Sequence, residues 1–243
     1  MPGPIAAVFL PWWGPAPGWE DRFIERASHS KRLKVVLVGD AAGWVPGADV
    51  PRIPVTMDEF EIRASKTAGV TIRKSSLRYP RGQAICELRC MMADIYPGIM
   101  QDFDWWGYGD WDVVWGDWDS YLTNERLAQF DMITSNSYSV NGCFVLFRQE
   151  FAGLYRERLD LMSSPEAHYM EESGMEAIVR RGMAADRMRC LYPVDLNAHD
   201  RHERWNRCCL RGNKLYRMDA GGEIGSEILK FHFPRTKRWP LEN

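Results

Sequence analysis

Phe103-Asp104-Trp105-Trp106-Gly107-Tyr108-Gly109-Asp110-Trp111-Asp112-Val113-Val114-Trp115-Gly116-Asp117 is the stretch on which the fold turns. It begins as aromatic and small residues and then delivers two carboxylates, Asp110 and Asp112, separated by one residue. The pattern predicts a short central strand over 104–108, because a bounded apolar run that stops at Gly and Asp is how a buried strand meets a turn. A strand that runs into paired acids presents hard oxygen ligands at the edge of a sheet. Such ligands suit Mg²⁺ or Mn²⁺, ions that keep coordination positions for water and phosphate. Asp110 and Asp112 are therefore candidate metal ligands, and Gly107 and Gly109 would permit close backbone approach. An isolated Asp-x-Asp is ambiguous, since Asp also serves turns and helix caps. Its place after an aromatic strand in mid-chain is what singles this one out.

Working outward, residues 5–10 form a continuous apolar run stopped by Pro11-Trp12-Trp13-Gly14-Pro15. Residues 19–28 carry Trp19, Phe23, Ile24 and Ala27 at helical spacing, and 33–38 is a second apolar run ending at Gly39-Asp40. Strand, helix and strand with short links make a βαβ unit, with parallel pairing and a right-handed crossover. Further expected elements are a short strand in 49–55 and a helix over 56–68 with Met57, Phe60 and Ile62 partly buried. A helix over 82–95 follows, closed by Pro97-Gly98. Strands are expected at 131–135 and 143–147, and helices at 150–161 and 171–181. The polar last part has a Gly221-Gly222 turn and a strand over 228–233. No repeat, low-complexity tract or linker interrupts the chain. The expectation is one α/β domain, a Rossmann-like mixed and mainly parallel sheet flanked by helices, with ligand loops at the carboxyl ends of the strands.

Composition excludes several classes. The chain has 243 residues, 26% charged and 45% hydrophobic, which is the make-up of a folded enzyme and not of a disordered segment. Its formal net charge of -2 gives no basic excess of the kind nucleic acids or anionic membranes select, so neither is expected as a partner. No Lys or Arg precedes the first apolar run and no run is long enough to cross a bilayer, so a cytoplasmic protein with no integral membrane segment is expected. None of the six cysteines forms a C-x-x-C pair, and in that compartment reduced structural thiols are expected. Nine of the eleven tryptophans lie within residues 12–44 and 105–118. Each alone is best explained by core packing, but their density beside two candidate site loops also fits stacking on a base or a sugar face.

At 103–117 the sequence resembles the F-W-G-x-x-D-x-D-x-x-x-G-D segment of an uncharacterised bacterial group of GT-A-fold glycosyltransferases. Ala7-Val8-Phe9-Leu10-Pro11-Trp12-Trp13-Gly14 resembles that group's opening strand and P-Y-F-G loop. Cys86-Glu87-Leu88-Arg89 resembles its C-D-x-K segment, with Glu87 and Arg89 as departures. More distantly, the layout is similar to glycogenin and the lipooligosaccharide galactosyltransferases. Those end in H-x-x-G-x-x-K-P-W, where this chain keeps His232, Lys237 and Trp239 but neither the Gly nor the Pro.

The resemblance implies a GT-A-like fold in which about 1–117 hold a nucleotide-sugar donor, a UDP-sugar in the first instance. About 118–243 would serve a small-molecule, glycan or peptide acceptor. By the same carry-over, Asp110 would touch ribose or the metal, Asp112 would ligate Mn²⁺ or Mg²⁺, and His232 would complete the metal site. Lys237, supported by Arg235 or Arg238, would neutralise the diphosphate. Pro11, Trp12 and Trp13 would line the base pocket, Asp40 would meet uracil or ribose, and Glu87 and Arg89 would face the donor. Asn141 and Gly142 correspond to a segment that helps hold the sugar. Glu171 or Glu172 would take the proton from an acceptor hydroxyl, as an inverting transfer requires.

Plainer accounts stand beside several of these roles. His232 fits a satisfied core histidine, the Arg235–Arg238 cluster a solvated tail, and Asp40 a cap. Asn141-Gly142 fits a hairpin turn, and Glu171 and Glu172 fit a helix N-terminus. Two rival functions are a sugar nucleotidyltransferase and a non-catalytic carbohydrate-binding relative. The first would normally carry a Gly-rich basic loop after the first strand, which Pro11-Trp12-Trp13-Gly14-Pro15 is not.

Overall fold

Four strands, three of them apolar runs, pair in parallel to build the sheet that carries the acidic turn. The computed structural model of the chain describes residues 5–44, 49–72, 86–136, 139–140, 142–164, 170–192, 197–199, 207–219 and 221–232. Strand β1 (Ala6–Trp12) lies between β2 (Leu33–Gly39) and β4 (Trp105–Gly109), and β3 (Arg52–Ile53) extends the sheet beyond β2. All four run parallel, with Phe9 opposite Val36 on one side and Tyr108 on the other. Helix α1 (Glu20–Ala27) makes the β1–β2 crossover, so the βαβ unit expected at the start of the chain is present.

Beyond β4 the order changes. β7 (Phe144–Arg148) pairs antiparallel with β4, followed by β6 (Met132–Thr134) and β8 (Cys190–Leu191), giving the seven-strand order β3-β2-β1-β4-β7-β6-β8. The sheet is mixed but mainly parallel. Two small sheets stand beside it: a meander of β10 (Arg207–Arg211), β11 (Lys214–Met218) and β12 (Ile224–Ile228), and the trio β5 (Val113–Trp115), β13 (Lys230–His232) and β9 (Asn197–His199).

Alternation along β1 divides the core between the two faces of the large sheet, since successive strand residues point to opposite sides. Ala7 and Phe9 join Trp106, Tyr108, Phe147 and Phe60 on one face. Ala6, Val8 and Leu10 join Trp105, Phe23, Ile24, Trp111 and Trp115 on the other. Helix α2 (Met57–Ala68) covers the first face. It starts at a capping box in which Thr56 accepts from the Glu59 N–H and Glu59 accepts from the Thr56 N–H, and it ends at Gly69 in the left-handed region, φ 73°.

The structure departs from the expected elements where periodicity was read too simply. Ile62 is exposed at 67%, because it lies on the outer side of α2 while Phe60 and Ala64 face the sheet. The helix expected over 82–95 is, in its described part, α-helical over 86–88, tightens to a 3₁₀ turn over Arg89–Met91 and ends in a single α turn over Met92–Ile95. The 171–181 helix begins as a π-helical turn, Met170–Gly174, before the α-helix Met175–Ala184. The tryptophans of the acidic segment are core residues: Trp105, Trp106, Trp111, Trp115 and Trp118 are all buried. Their density serves packing against the sheet and leaves no indole face open for stacking. All six cysteines are free thiols, and no helix among the described residues is long and apolar enough to cross a membrane.

Candidate metal and donor site

The site forms where β4 ends. Trp111, the middle residue of Asp110-Trp111-Asp112, is buried against Phe23 and Trp44, each with ring centroids 5.0 Å away. Its backbone carbonyl also accepts the Trp19 indole N–H at 2.7 Å. With the middle side chain packed into the core, the flanking carboxylates are carried away from it, since alternate residues of extended chain face opposite sides. Asp110 is half-buried and Asp112 buried.

Two long-range pairings then bring partners to the acids. β5 follows Asp112 directly and pairs antiparallel with β13, with His232 opposite Val113. This sets His232 Nε2 3.4 Å from Asp112 Oδ1 and 4.0 Å from Asp110 Oδ2. On the other side, β7 pairs with β4 in a register that places Phe144 opposite Gly109. The Asp110 N–H consequently donates to the Cys143 carbonyl at 3.2 Å, and the Cys143 thiol joins the cluster. Its Sγ lies 3.1 Å from His232 Nδ1 and 3.6 Å from Nε2. Burial pushes the Cys143 thiol well above its ordinary pKa; the Lys230 ammonium acts in the opposite sense, while Asp110 and Asp112 add to the rise.

Arg89 fixes the first acid. Its buried guanidinium donates to the Gly109 carbonyl at 3.1 Å and forms an ion pair with Asp110 Oδ1. The same group lies over the Tyr108 ring, 5.6 Å from its centroid. Because Arg89 takes Oδ1, the oxygen turned toward His232 is Oδ2. Each acid reaches His232, and the donor atoms that lie within 4.8 Å of one another are those of Asp110, Cys143 and His232. Carboxylate, thiol and imidazole are donor types for a divalent cation, with Arg89 as the outer partner that orients Asp110.

The remaining expected residues distribute as follows. Asp40 begins the turn after β2, and its Oδ2 accepts the Gly14 N–H at 2.8 Å, tying the loop after β1 to the loop after β2. Pro11 pairs within β1, in register with Val38. Trp12 is half-buried, donates to the Pro15 carbonyl at 3.0 Å and meets Trp44 edge-on. Trp13 turns inward, where its N–H donates to the Val55 carbonyl at 2.7 Å and its ring packs on Phe60. Glu87 is buried, and its Oε2 accepts the Met170 N–H at 2.6 Å. That bond holds the start of the π-helical turn that carries Glu171 and Glu172, whose side chains lie outside the described residues. Gly142 is buried beside Cys143, and Asn141, Arg235, Lys237 and Arg238 lie outside the described residues.

The residue that sequence reasoning passed over is Cys143. Read as a structural thiol next to an Asn-Gly turn, it carries no local mark of its surroundings. Only the β4–β7 register, joining segments far apart in the chain, reveals it.

Residues 8–216 match a family described as "Family of unknown function (DUF6625)". No curated protein matches the sequence. Among solved structures the chain is similar to mouse xyloside xylosyltransferase 1 in its apo form, at 10% identity and a TM-score of 0.51, covering 97% of this chain and 100% of that one. It is also similar to a glycosyltransferase involved in glycosylation of the major capsid of PBCV-1, at 10% identity and a TM-score of 0.44, covering 81% and 86%. The galactosyltransferase LgtC with donor and acceptor sugar analogues gives 12% identity and a TM-score of 0.42, covering 80% and 76%. At these identities the first likeness bears on the fold alone, and the fold is GT-A-like: a mixed, mainly parallel sheet flanked by helices.

Proposed function

The chain belongs to this DUF6625 family, and we propose that it is a glycosyltransferase that moves a sugar from a nucleotide diphosphate, a UDP-sugar in the first instance, to an acceptor hydroxyl. The observation that carries the reading is the convergence of Asp110, Asp112 and His232 at the carboxyl end of β4. This end of the sheet adjoins the loop after β1 that Asp40 braces. Open α/β sheets bind their ligands at such strand ends.

In this reading Asp110 Oδ2, Asp112 Oδ1 and His232 Nε2 hold a divalent cation, Mn²⁺ or Mg²⁺. The ion, when bound, supplies Lewis-acid stabilisation of the negative charge that gathers on the diphosphate. The chain's own groups do the rest. Arg89 keeps Asp110 turned toward the site, and Trp12 with Asp40 flanks the nucleoside. Lys237, with Arg235 or Arg238, adds positive charge against the phosphates. The anomeric carbon exchanges its bond to diphosphate oxygen for one to the acceptor oxygen. The acceptor's proton passes to Glu171 or Glu172, on the segment that Glu87 anchors. The donor half, about 1–117, and the acceptor half, about 118–243, would meet along β4 and β7.

A thermal-shift panel of nucleoside diphosphates and their sugars, with and without Mn²⁺, tests the reading. A ligand bound only by the folded state at a hundred times its Kd adds about 2.7 kcal/mol of stability. One nucleotide should therefore give a clear metal-dependent gain that Asp112→Asn removes. A panel in which no nucleoside diphosphate stabilises the protein would overturn the proposal.

A further inference from the structure

We propose that Cys143 is a sulfur ligand of the cation site, so that the site takes a borderline ion of the Zn²⁺, Co²⁺ or Fe²⁺ kind in preference to Mg²⁺. The inference rests on the cation site proposed above and revises its ion, since a sulfur donor moves the preference from the hard ions named there to borderline ones.

Three features of the cluster support it. First, one donor atom each from Asp110, Cys143 and His232 lie within 4.8 Å of one another, and the thiol is buried at the edge of the core cluster that also holds Trp111 and Phe144. Second, the spacings are wide. From His232 Nε2 the distances are 3.4 Å to Asp112 Oδ1, 3.6 Å to Cys143 Sγ and 4.0 Å to Asp110 Oδ2. Donors about 2.0–2.3 Å from a zinc-class ion stand roughly 3.3–3.7 Å apart at tetrahedral angles, a range that the first two spacings meet and the third exceeds slightly. Octahedral Mg²⁺, with ligands at about 2.0–2.1 Å, sets adjacent donors only roughly 3 Å apart and accepts oxygen far more readily than sulfur. Third, the strand register fixes the Cys143 backbone beside Asp110 through the 3.2 Å backbone bond, so the thiol starts from a position next to the cluster. Coordination would replace the S–H bond with a sulfur–metal bond and release the proton to solvent, and the nearby Lys230 ammonium offsets part of the negative charge that this leaves.

Sulfur's closer approach to Nδ1, 3.1 Å, defines the competing arrangement, in which the thiol only hydrogen-bonds the imidazole from outside. Co²⁺ is the probe that separates the two. Titrated into the reduced full-length protein, it should give visible d–d bands together with a near-ultraviolet sulfur-to-cobalt charge-transfer band. Cys143→Ser should keep the d–d bands and lose the charge-transfer band. It should also weaken Zn²⁺ by more than the ~10–100-fold typical of losing an outer partner, while leaving Mg²⁺ affinity unchanged. Zinc K-edge absorption on the wild-type protein at one equivalent covers the case in which the variant fails to fold: a sulfur scatterer is expected, and an all oxygen and nitrogen shell overturns the proposal. Visible bands without charge transfer in the wild type, or a charge-transfer band that survives Cys143→Ser, also overturn it and leave the cation site standing. No cobalt bands at all would remove the cation site itself.

Discussion

Arg89 and Asp110 form an ion pair in which the guanidinium holds one carboxylate oxygen and leaves the other turned to His232. The pair is unequal in its surroundings. The Arg89 side chain is 5% exposed and that of Asp110 25%, so the arginine is the group that cannot find water if the pair is broken. Removing one member of a buried pair costs about 3–5 kcal/mol, and the partial exposure of Asp110 places this case toward the lower end. Arg89→Met takes out the buried charge and keeps the stem. It is expected to be better tolerated in stability than Asp110→Ala, while weakening cation binding because Asp110 is no longer oriented. Arg89→Lys should not restore the site, since a single ammonium lacks the fork that reaches both the Gly109 carbonyl and Asp110. Urea melts and a Mn²⁺ titration on the same variants separate the two effects.

His232 has a different balance. It sits at the end of β13, partly exposed, so its removal should leave the fold intact and affect only the ion. His232→Ala is expected to keep the wild-type melting temperature within a few degrees in metal-free buffer and to lose at least about tenfold in cation affinity, measured by calorimetry. A variant that unfolds, or that binds the ion as before, would contradict the assigned role.

How much of this was legible in the sequence follows from the range of each interaction. β1 and β2 could be read because a buried parallel strand writes itself as an unbroken apolar run, whereas the capping box of Thr56 and Glu59 that starts α2 is a local signal the reading of 56–68 did not use. Asp110 and Asp112 could be read because the two ligands and the strand before them are contiguous. His232 came from resemblance, since nothing within β13 marks it. Cys143 could not be read at all: its role depends on which strand lies beside β4, and no period within 143–147 encodes that choice. The tryptophans misled for a related reason. A ring suited to a sugar face is equally suited to a sheet face, and only the tertiary packing of Trp111 and Trp115 against Phe23 decides between them.

Glu87 offers a test of the link between the donor side and the segment bearing Glu171 and Glu172. Its carboxylate accepts the buried Met170 N–H. Glu87→Ala leaves that donor without this acceptor, a loss of about 1–3 kcal/mol, whereas Glu87→Gln keeps an oxygen in place and should cost less. If Glu171 or Glu172 takes the acceptor proton, Glu87→Ala should also lower kcat more than it raises the KM for donor, and Glu87→Gln should recover much of the loss.

Asp131 sets an acid limit on the fold. Burial alone would raise its carboxyl pKa, but hydrogen bonds from the Arg189 side chain and backbone and the nearby charge of Arg148 outweigh burial and hold it below the ordinary value. A depressed folded-state pKa contributes stability above the unfolded value, about 3.9, and that stability is lost as pH falls toward the folded-state value. Denaturation midpoints followed downward through pH 4 should fall more steeply for the wild type than for Arg189→Met, which lacks the stronger partner. Parallel curves would show that the pairing between β6 and β8 does not depend on this carboxylate.

Gly107 lies in the middle of β4, two residues before the strand ends, and its role is spacing. A Cβ built there would stand 2.0 Å from the Val145 carbonyl oxygen and 2.7 Å from Leu146 Cδ2. The first neighbour is backbone of the adjacent strand and cannot rotate away, so even a methyl group must force β4 and β7 apart. That boundary is also the one that aligns Asp110 with Cys143. Gly107→Ala is therefore expected to destabilise the protein by about 3 kcal/mol or more, beyond the ordinary 1–3 kcal/mol of an overpacked core, and to yield little folded material. Gly98→Ala, where no atom lies within 4 Å of the added carbon, serves as the control and should express normally. If both variants fold and melt alike, β4 and β7 are not held as closely as the register described here requires, and the juxtaposition of Asp110 with Cys143 fails with them.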